Sequence, residues 1–277
     1  MKIRAILMDM DGTVLGNSQV AISERNMRAI YKAMEKGVHV IPCTGRTFNC
    51  LPPQLLTLPG LRYFITSHGA RAYDRETGET IYEDLIPCDQ AVELLEILEG
   101  HGLFNEIAAD KIVHMEKAMV DPIDWSLVPE HHLWYMRDGR YVPVEKPSEY
   151  FRKNNLGVEK MNIYNIPEKY QQEMYDRVTA TGYIYHPKPG AALHMEFLHK
   201  GLDKLCAVKE VLDRLGVSFE ETLAIGDSVS DLAIIKACGV GVAMGNAPAD
   251  IQAAADFVTA PNYEDGVGVA FEKFLEL

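Results

Sequence analysis

The sequence predicts an α/β protein: a doubly wound, mostly parallel sheet whose chain is interrupted by a separate α+β segment. Three observations predict it. Apolar strand-like runs alternate with helical patterns in the first third of the 277 residues and again in the last third. The middle changes character and carries most of the prolines, both tryptophans and many of the tyrosines. Acidic and small polar residues stand where the predicted strands end, the edge at which open parallel sheets place their sites.

The elements follow in order. "IRAILM" reads as a buried strand. "SERNMRAIYKAMEKG" reads as a helix capped by Ser23 and stopped at Gly37. "VHVIPC" and "RYFITS" are second and third strands, and this spacing calls for right-handed crossovers in a parallel sheet. "ARAYDRETGETIYEDL" has turn chemistry from Asp74 to Gly78 and reads as a hairpin. The first core segment is therefore placed at 1–84. Residues 85–195 form the inserted α+β domain, with helices at "DQAVELLEILEGHG" and "PEKYQQEMYDRVTA" and strands at "KIVHM", "KMNIYNI" and "GYIYHP". The second core segment, 196–277, resumes the alternation with the helix "GLDKLCAVKEVLDRLG", the strands "TLAIGD", "VGVAMG" and "DFVT", and a last helix. Neither internal repeats nor low-complexity stretches occur.

Composition narrows the function. The chain has 27 Lys and Arg against 40 Asp and Glu, a net charge of −13. That argues against nucleic acid as a partner, because phosphate backbones need clustered basic residues. It leaves room for a small anionic substrate at a local positive site. No apolar run is long enough for a membrane span, and two aspartates interrupt the N-terminus where a signal peptide would stay apolar. The five cysteines are odd in number, form no metal-like pair, and read as free thiols of a cytoplasmic protein. The pair His131-His132 lacks a third ligand at metal-binding spacing.

Four stretches carry chemistry. Asp9 and Asp11 follow the first strand, Thr44-Gly45-Arg46 follows the second, and "GDSVSD", with Asp227 and Asp231, follows the strand "TLAI". Lys204 lies in the first turn of the helix after the insertion. "DMDGT" is not an EF-hand loop: counting from Asp9, positions 5, 6 and 12 are Thr13, Val14 and Val20, where such a loop needs an oxygen ligand, Gly and Glu. Converging carboxylates call for a hard divalent cation such as Mg2+. A cation, a lysine and a Thr-Gly pair make a pocket for a phosphoryl group, and a carboxylate there can serve as nucleophile.

Taken together, "DMDGT" (9–13), "TGR" (44–46), "KGLDK" (200–204) and "GDSVSD" (226–231) resemble the haloacid dehalogenase superfamily, specifically its Cof-type phosphatases with a large inserted cap. "AMGNA" (243–247) and "EDGV" (264–267) resemble the tail of that group. The resemblance implies a Rossmann-like core and residue roles. Asp9 would be the nucleophile, giving an aspartyl-phosphate, and Asp11 the general acid and base. Mg2+ would be held by Asp9, the backbone carbonyl of Asp11, and Asp227, with Asp231 behind them. Thr44, Gly45, Lys204 and Ser230 would bind the phosphoryl group. The family commonly has Asn at the positions of Ser230 and His68, so these two are departures. The implied activity is Mg-dependent hydrolysis of small phosphorylated metabolites, sugar phosphates foremost, with the cap choosing among them. A phosphomutase, or a non-catalytic metabolite-binding regulator, are the alternatives, and monomer and homodimer both stay open.

Overall fold

The computed structural model describes residues 2–16, 20–126, 128, 132–185 and 194–277. In chain order the first segment holds β1 (Ala5–Met8), α1 (Glu24–Glu35), β2 (His39–Pro42), α2 (Pro53–Leu56), β3 (Tyr63–Thr66), β4 (Arg71–Asp74) and β5 (Thr80–Glu83). The inserted segment holds α3 (Cys88–His101), β6 (Asn105–Ala109), β7 (Ile112–Glu116), α4 (Lys117–Val120), α5 (Leu133–Arg137), β8 (Tyr141–Val144), α6 (Pro147–Asn154), β9 (Lys160–Tyr164), α7 (Glu168–Thr181), β10 (Gly182–Tyr185) and β11 (His194–His199). The last segment holds α8 (Lys204–Leu215), β12 (Thr222–Gly226), α9 (Leu232–Ala237), β13 (Val240–Ala243), α10 (Ala249–Ala254), β14 (Phe257–Val258) and α11 (Gly266–Leu275). The chain divides into two compact units. One comprises Met1–Arg46, Leu51–Glu83 and Asp203–Leu277; the other comprises Thr47–Cys50 and Asp84–Leu202.

The first unit is built on a five-stranded parallel sheet in the order β14-β13-β12-β1-β2. All four residues of β1 are buried, as a central parallel strand covered on both faces requires. Ala5, Leu7 and Ile41 share a core with Val208, Val211 and Leu212 of α8 and Ile234 of α9. Helix α1 packs on β2 and on α11. Its start follows from Ser23, whose hydroxyl accepts from the Asn26 N–H, and the chain leaves it at Gly37 with φ of 77°. The third strand departs from the expected parallel sheet. It pairs antiparallel with β4 in a separate sheet, β3-β4-β5, and meets the parallel sheet at a Cys43–Ile65 bridge. The short turn at Ser67–Gly69 folds β4 back along β3 and so claims one of its edges.

The second unit has a six-stranded sheet, β10-β11-β9-β6-β7-β8, antiparallel except between β7 and β8. The run "HMEFLH" completes it as β11 beside β9, so the chain joins the first unit again at Asp203, later than the 195/196 boundary read from sequence. Ile107, Met161, Ile163, Met195 and Phe197 form one face, against Leu95 and Leu98 of α3 and Phe151 of α6. The alternate residues are mostly polar, Ala108 and Leu198 excepted. Among them Glu106 is buried, and its carboxylate takes four partners: His132 Nδ1 at 3.1 Å, the Tyr135 hydroxyl, Asn162 Nδ2 at 3.3 Å and the Tyr164 hydroxyl at 2.6 Å. Burial works against the ionised form, but the His132 charge and these donors outweigh it and hold the carboxyl down at about 2.

Because the folded value lies below that of the unfolded chain, Glu106 contributes stability above about pH 4, and that contribution is lost as pH falls through about 2. Glu106→Gln should therefore cost roughly 2 kcal/mol at neutral pH, since an amide cannot accept at both ends. The difference from the unmodified protein should shrink toward pH 2. Urea unfolding at both pH values checks this; an unchanged midpoint at neutral pH would show that the network is dispensable.

Candidate active site

Strand β1 delivers Asp9 to its carboxyl end, and the Asp9 N–H donates to Ile225 O of neighbouring β12 at 3.0 Å. The next turn is tight because Gly12 takes φ of 76° and lies flush against Asp227: a methyl at Gly12 would sit 2.3 Å from Asp227 Oδ2. Thr13 Oγ1 donates to Asp227 Oδ1 at 3.0 Å. Strand β12 delivers Asp227, and the short turn after it delivers Asp231, whose carboxylate is fully buried. Carboxylate oxygens of Asp9, Asp227 and Asp231 lie within 4.8 Å of one another.

Lys204, the first residue of α8, reaches this cluster, and Asp203 caps its helix by accepting from the Leu205 N–H. Lys204 Nζ donates to Asp231 Oδ1 at 2.9 Å, and both groups are buried. The other oxygen of Asp231 accepts from Ser228 N and Oγ at 3.2 and 3.0 Å. Ser230 shares a 2.7 Å hydroxyl contact with Ser228, so it belongs to the brace of this loop.

The electrostatics follow from the crowding. Burial pushes the Asp9 carboxyl well above the usual carboxylate range; Asp231, Asp227 and Asp11 push it further, against the pull of Lys204. Burial, with Asp231 and Asp11, raises Asp227 to about 6. Burial alone would depress the Lys204 ammonium, yet Asp231, Cys43 and Asp9 raise it above its ordinary value. Cys43 lies in the same buried surroundings, and burial pushes its thiol up to about 12, which leaves it unreactive.

After β2, Thr44 is buried, and its hydroxyl accepts from the Arg46 N–H at 3.1 Å, leaving the hydroxyl proton to be donated elsewhere. Arg46 grips the exposed Asp11 carboxylate with both arms of its guanidinium, at 2.8 Å from Nε and 2.5 Å from the terminal nitrogen. Sequence reasoning assigned no role to Arg46, Thr13 or Ser228. Their signal was adjacency to motif residues; their partners lie far away in sequence or depend on turn geometry. The "AMGNA" stretch also acquires a structural place: Asn246 Nδ2 donates to Gly12 O at 2.8 Å, and its Oδ1 accepts from Asn262 N at 2.9 Å.

The site thus brings Asp9, Asp11, Thr44, Gly45, Lys204, Asp227, Ser230 and Asp231 into one unit. Four carboxylates there face two cations, Lys204 and Arg46. A hard divalent cation fits this surplus and this all-oxygen donor set. Among the described residues no other group of acidic, histidine or cysteine side chains is close enough to hold a metal. His132 is taken up by Glu106, and His131 lies outside the described residues. No helix of the described residues is long and apolar enough to cross a membrane.

Comparison with known proteins places the chain. The model of a family described as haloacid dehalogenase-like hydrolase matches residues 6–271. The 5-amino-6-(5-phospho-D-ribitylamino)uracil phosphatase YcsE of Bacillus subtilis is 28% identical over 280 residues, covering 99% of this chain and 96% of the relative. A solved haloacid dehalogenase-like hydrolase from Bacteroides thetaiotaomicron superposes with a TM-score of 0.79 at 26% identity, covering 98% of this chain and 99% of that one. The subclass IIB sugar phosphatase BT4131 shares the fold, with a TM-score of 0.75 at 24% identity over 99% of this chain and 100% of that one. With the family model spanning both core segments and the insertion, and its carboxylates gathered around one point, this chain belongs to the haloacid dehalogenase-like hydrolases.

Proposed function

We propose that the chain is a Mg2+-dependent cytoplasmic phosphatase that hydrolyses small phosphorylated metabolites, sugar phosphates foremost, through a phosphorylated Asp9. The observation that carries this reading is the buried Asp9 carboxylate, set at a strand end beside Asp227, Asp231 and the Lys204 ammonium. Relatives named as phosphatases support the reaction class, and the fold shared with a named sugar phosphatase supports the substrate class.

Asp9 and Asp227, with the backbone carbonyl of Asp11, are the residues that would hold Mg2+. When bound, the ion balances the charge of the carboxylates and of the phosphoryl group. The protein's own groups do the rest. An Asp9 oxygen attacks phosphorus as the ester oxygen departs with a proton from Asp11. Asp11 then takes a proton from water, which releases orthophosphate and restores Asp9. The fork of Arg46 holds Asp11 in place for both transfers. Thr44 Oγ, the Gly45 N–H and Lys204 donate to the phosphoryl oxygens. Asp231 fixes Lys204, and Ser228 with Ser230 fixes Asp231.

A screen of phosphorylated metabolites with orthophosphate release as readout tests the reading. Isomerised sugar phosphate without free orthophosphate would turn it toward a phosphomutase.

Asp9→Asn should abolish turnover, and acid-quenched wild-type protein should carry phosphate on Asp9 by mass spectrometry. Asp11→Asn should lower kcat by about 10² to 10⁴ while magnesium binding persists. Near-normal turnover by Asp9→Asn would end the nucleophile assignment.

Asp227→Ala should weaken magnesium binding measured by calorimetry. Chelation of the unmodified enzyme should stop turnover until magnesium is restored. Full activity in excess chelator would contradict the metal requirement.

Ser230→Ala should cost only about 0.5–1.5 kcal/mol in kcat/KM, the scale of one ordinary hydrogen bond. Lys204→Ala should cost several times more, because it strips a buried charge from the pocket and leaves Asp231 unpaired. Equal losses would show Ser230 to be a direct contact.

A further inference from the structure

The turn between β3 and β4 places His68 beside the phosphoryl-binding loop in an uncommon backbone conformation. Ser67, His68 and Gly69 take φ of 50°, 58° and 95° in succession, and the first two are not glycine. Such conformations persist where the surroundings over-determine them, and they gather at functional sites. Here the surroundings are the site's own loops. The Ser67 N–H donates to Arg46 O at 2.9 Å, and the His68 N–H donates to Thr44 O at 3.0 Å. On the other side Gly69 lies against α8 so closely that a methyl there would sit 2.7 Å from the Lys204 Cα. The turn is held between the Thr44–Arg46 loop and the helix start that carries Lys204.

The side chain continues this placement. The imidazole of His68 lies on Gly45: a methyl at Gly45 would sit 2.4 Å from both Cε1 and Nε2. Gly45 therefore serves two ends, an N–H for an anion and room for this ring. Nδ1 is buried, and Nε2 is the ring nitrogen that lies beside Gly45. Ser67, Gly69 and Ala70 are buried while His68 is half-exposed, so the ring forms the open side of the turn.

A further hydrogen-bond donor has a use here. Lys204 is paired with Asp231 and Arg46 with Asp11, so an incoming phosphoryl dianion meets cations already engaged by carboxylates. We infer that His68 is a further phosphoryl-binding residue, donating from Nε2 to a phosphoryl oxygen seated at the Gly45 N–H. The inference rests on the phosphatase reading and deepens it: the anion is gripped from the Gly45 side by an imidazole as well as by Thr44, Gly45 and Lys204.

The test uses inorganic phosphate as the probe, in magnesium-containing buffer. His68→Gly keeps the positive φ accessible and removes the ring. It should raise the orthophosphate inhibition constant and KM about tenfold, with a smaller fall in kcat. His68→Asn tolerates the same backbone and keeps a shorter donor, so its loss should be smaller, about threefold. In the unmodified protein the His68 imidazole resonance, identified by its absence from His68→Asn, should move as orthophosphate is added. If His68→Gly binds orthophosphate within twofold of the unmodified enzyme, the ring is packing and the inference falls. If His68→Gly does not fold, an imidazole resonance unmoved at saturating orthophosphate overturns it. An unmodified enzyme that neither hydrolyses phosphate esters nor binds orthophosphate overturns the phosphatase reading itself, and this inference with it.

Discussion

The first unit depends on one constraint: carboxylates that crowd the carboxyl edge of β1 and β12 have to be compensated. Asp9 and Asp231 are buried and Asp227 nearly meets them, while Lys204 is the buried cation of the group. Unpaired, such charges would cost several kcal/mol each. The surrounding detail answers that cost. Gly12 has no side chain because Asp227 occupies the space, and Thr13 donates to Asp227. Ser228 donates twice to Asp231, and Asn246 holds the carbonyl of Gly12 so that its turn cannot swing away. Each arrangement pre-orients a group that would otherwise have to be ordered when a ligand arrives, which is how a site stabilises developing charge without reorganising.

The positions of these groups were legible because they lie at the ends of apolar runs, and strand order alone brings such ends together. Asp9, Thr44 and Asp227 needed no more than that. Partnerships were not legible. Nothing in "TGR" announces that Arg46 will hold Asp11, because that contact depends on how two loops turn after two different strands. Nor does "GDSVSD" reveal that Ser230 leans on Ser228 while Asp231 turns to Lys204. Side-chain direction in short turns is set by local φ and ψ, which residue type specifies only where glycine is required. Gly12 is such a place.

The fold diverged from its pattern where tertiary pairing competed with periodicity. "RYFITS" has the apolar character of a parallel core strand, but the hairpin that follows supplies an antiparallel partner at short loop length, and local closure is entropically favoured over a distant edge. "HMEFLH" alternates over its first four residues, and such a strand can join either sheet; pairing with β9 and β10 decided it. Thr47–Cys50 follow Arg46 directly yet belong with the second unit, where Asn49 N and Nδ2 donate to Lys111 O and Arg140 O and Cys50 joins its apolar core. Four residues carry too little pattern to announce such an excursion. The buried Glu106 was equally silent, since its partners come from separate elements and meet it only once the sheet exists.

The topology adds a reason for the site to stand where it does. Strand β1 is flanked by β12 and β2, so the parallel sheet cannot close until both core segments are present. The second unit, by contrast, draws all six of its strands from one continuous stretch and has its own apolar core. Thr13 and Asp227 hydrogen-bond across 214 residues, and Lys204 comes from the first helix after the insertion. The carboxylate cluster is therefore assembled only by the longest-range strand pairing among the described residues. Until that pairing forms, each aspartate stays hydrated and separate, and the repulsion among them has nothing to oppose. Once β12 seats beside β1, burial and the Lys204 pair appear together. The strand pairing that completes the core thus also creates the charged site, and a weakened β1–β12 ladder would loosen the fold and the chemistry at the same point.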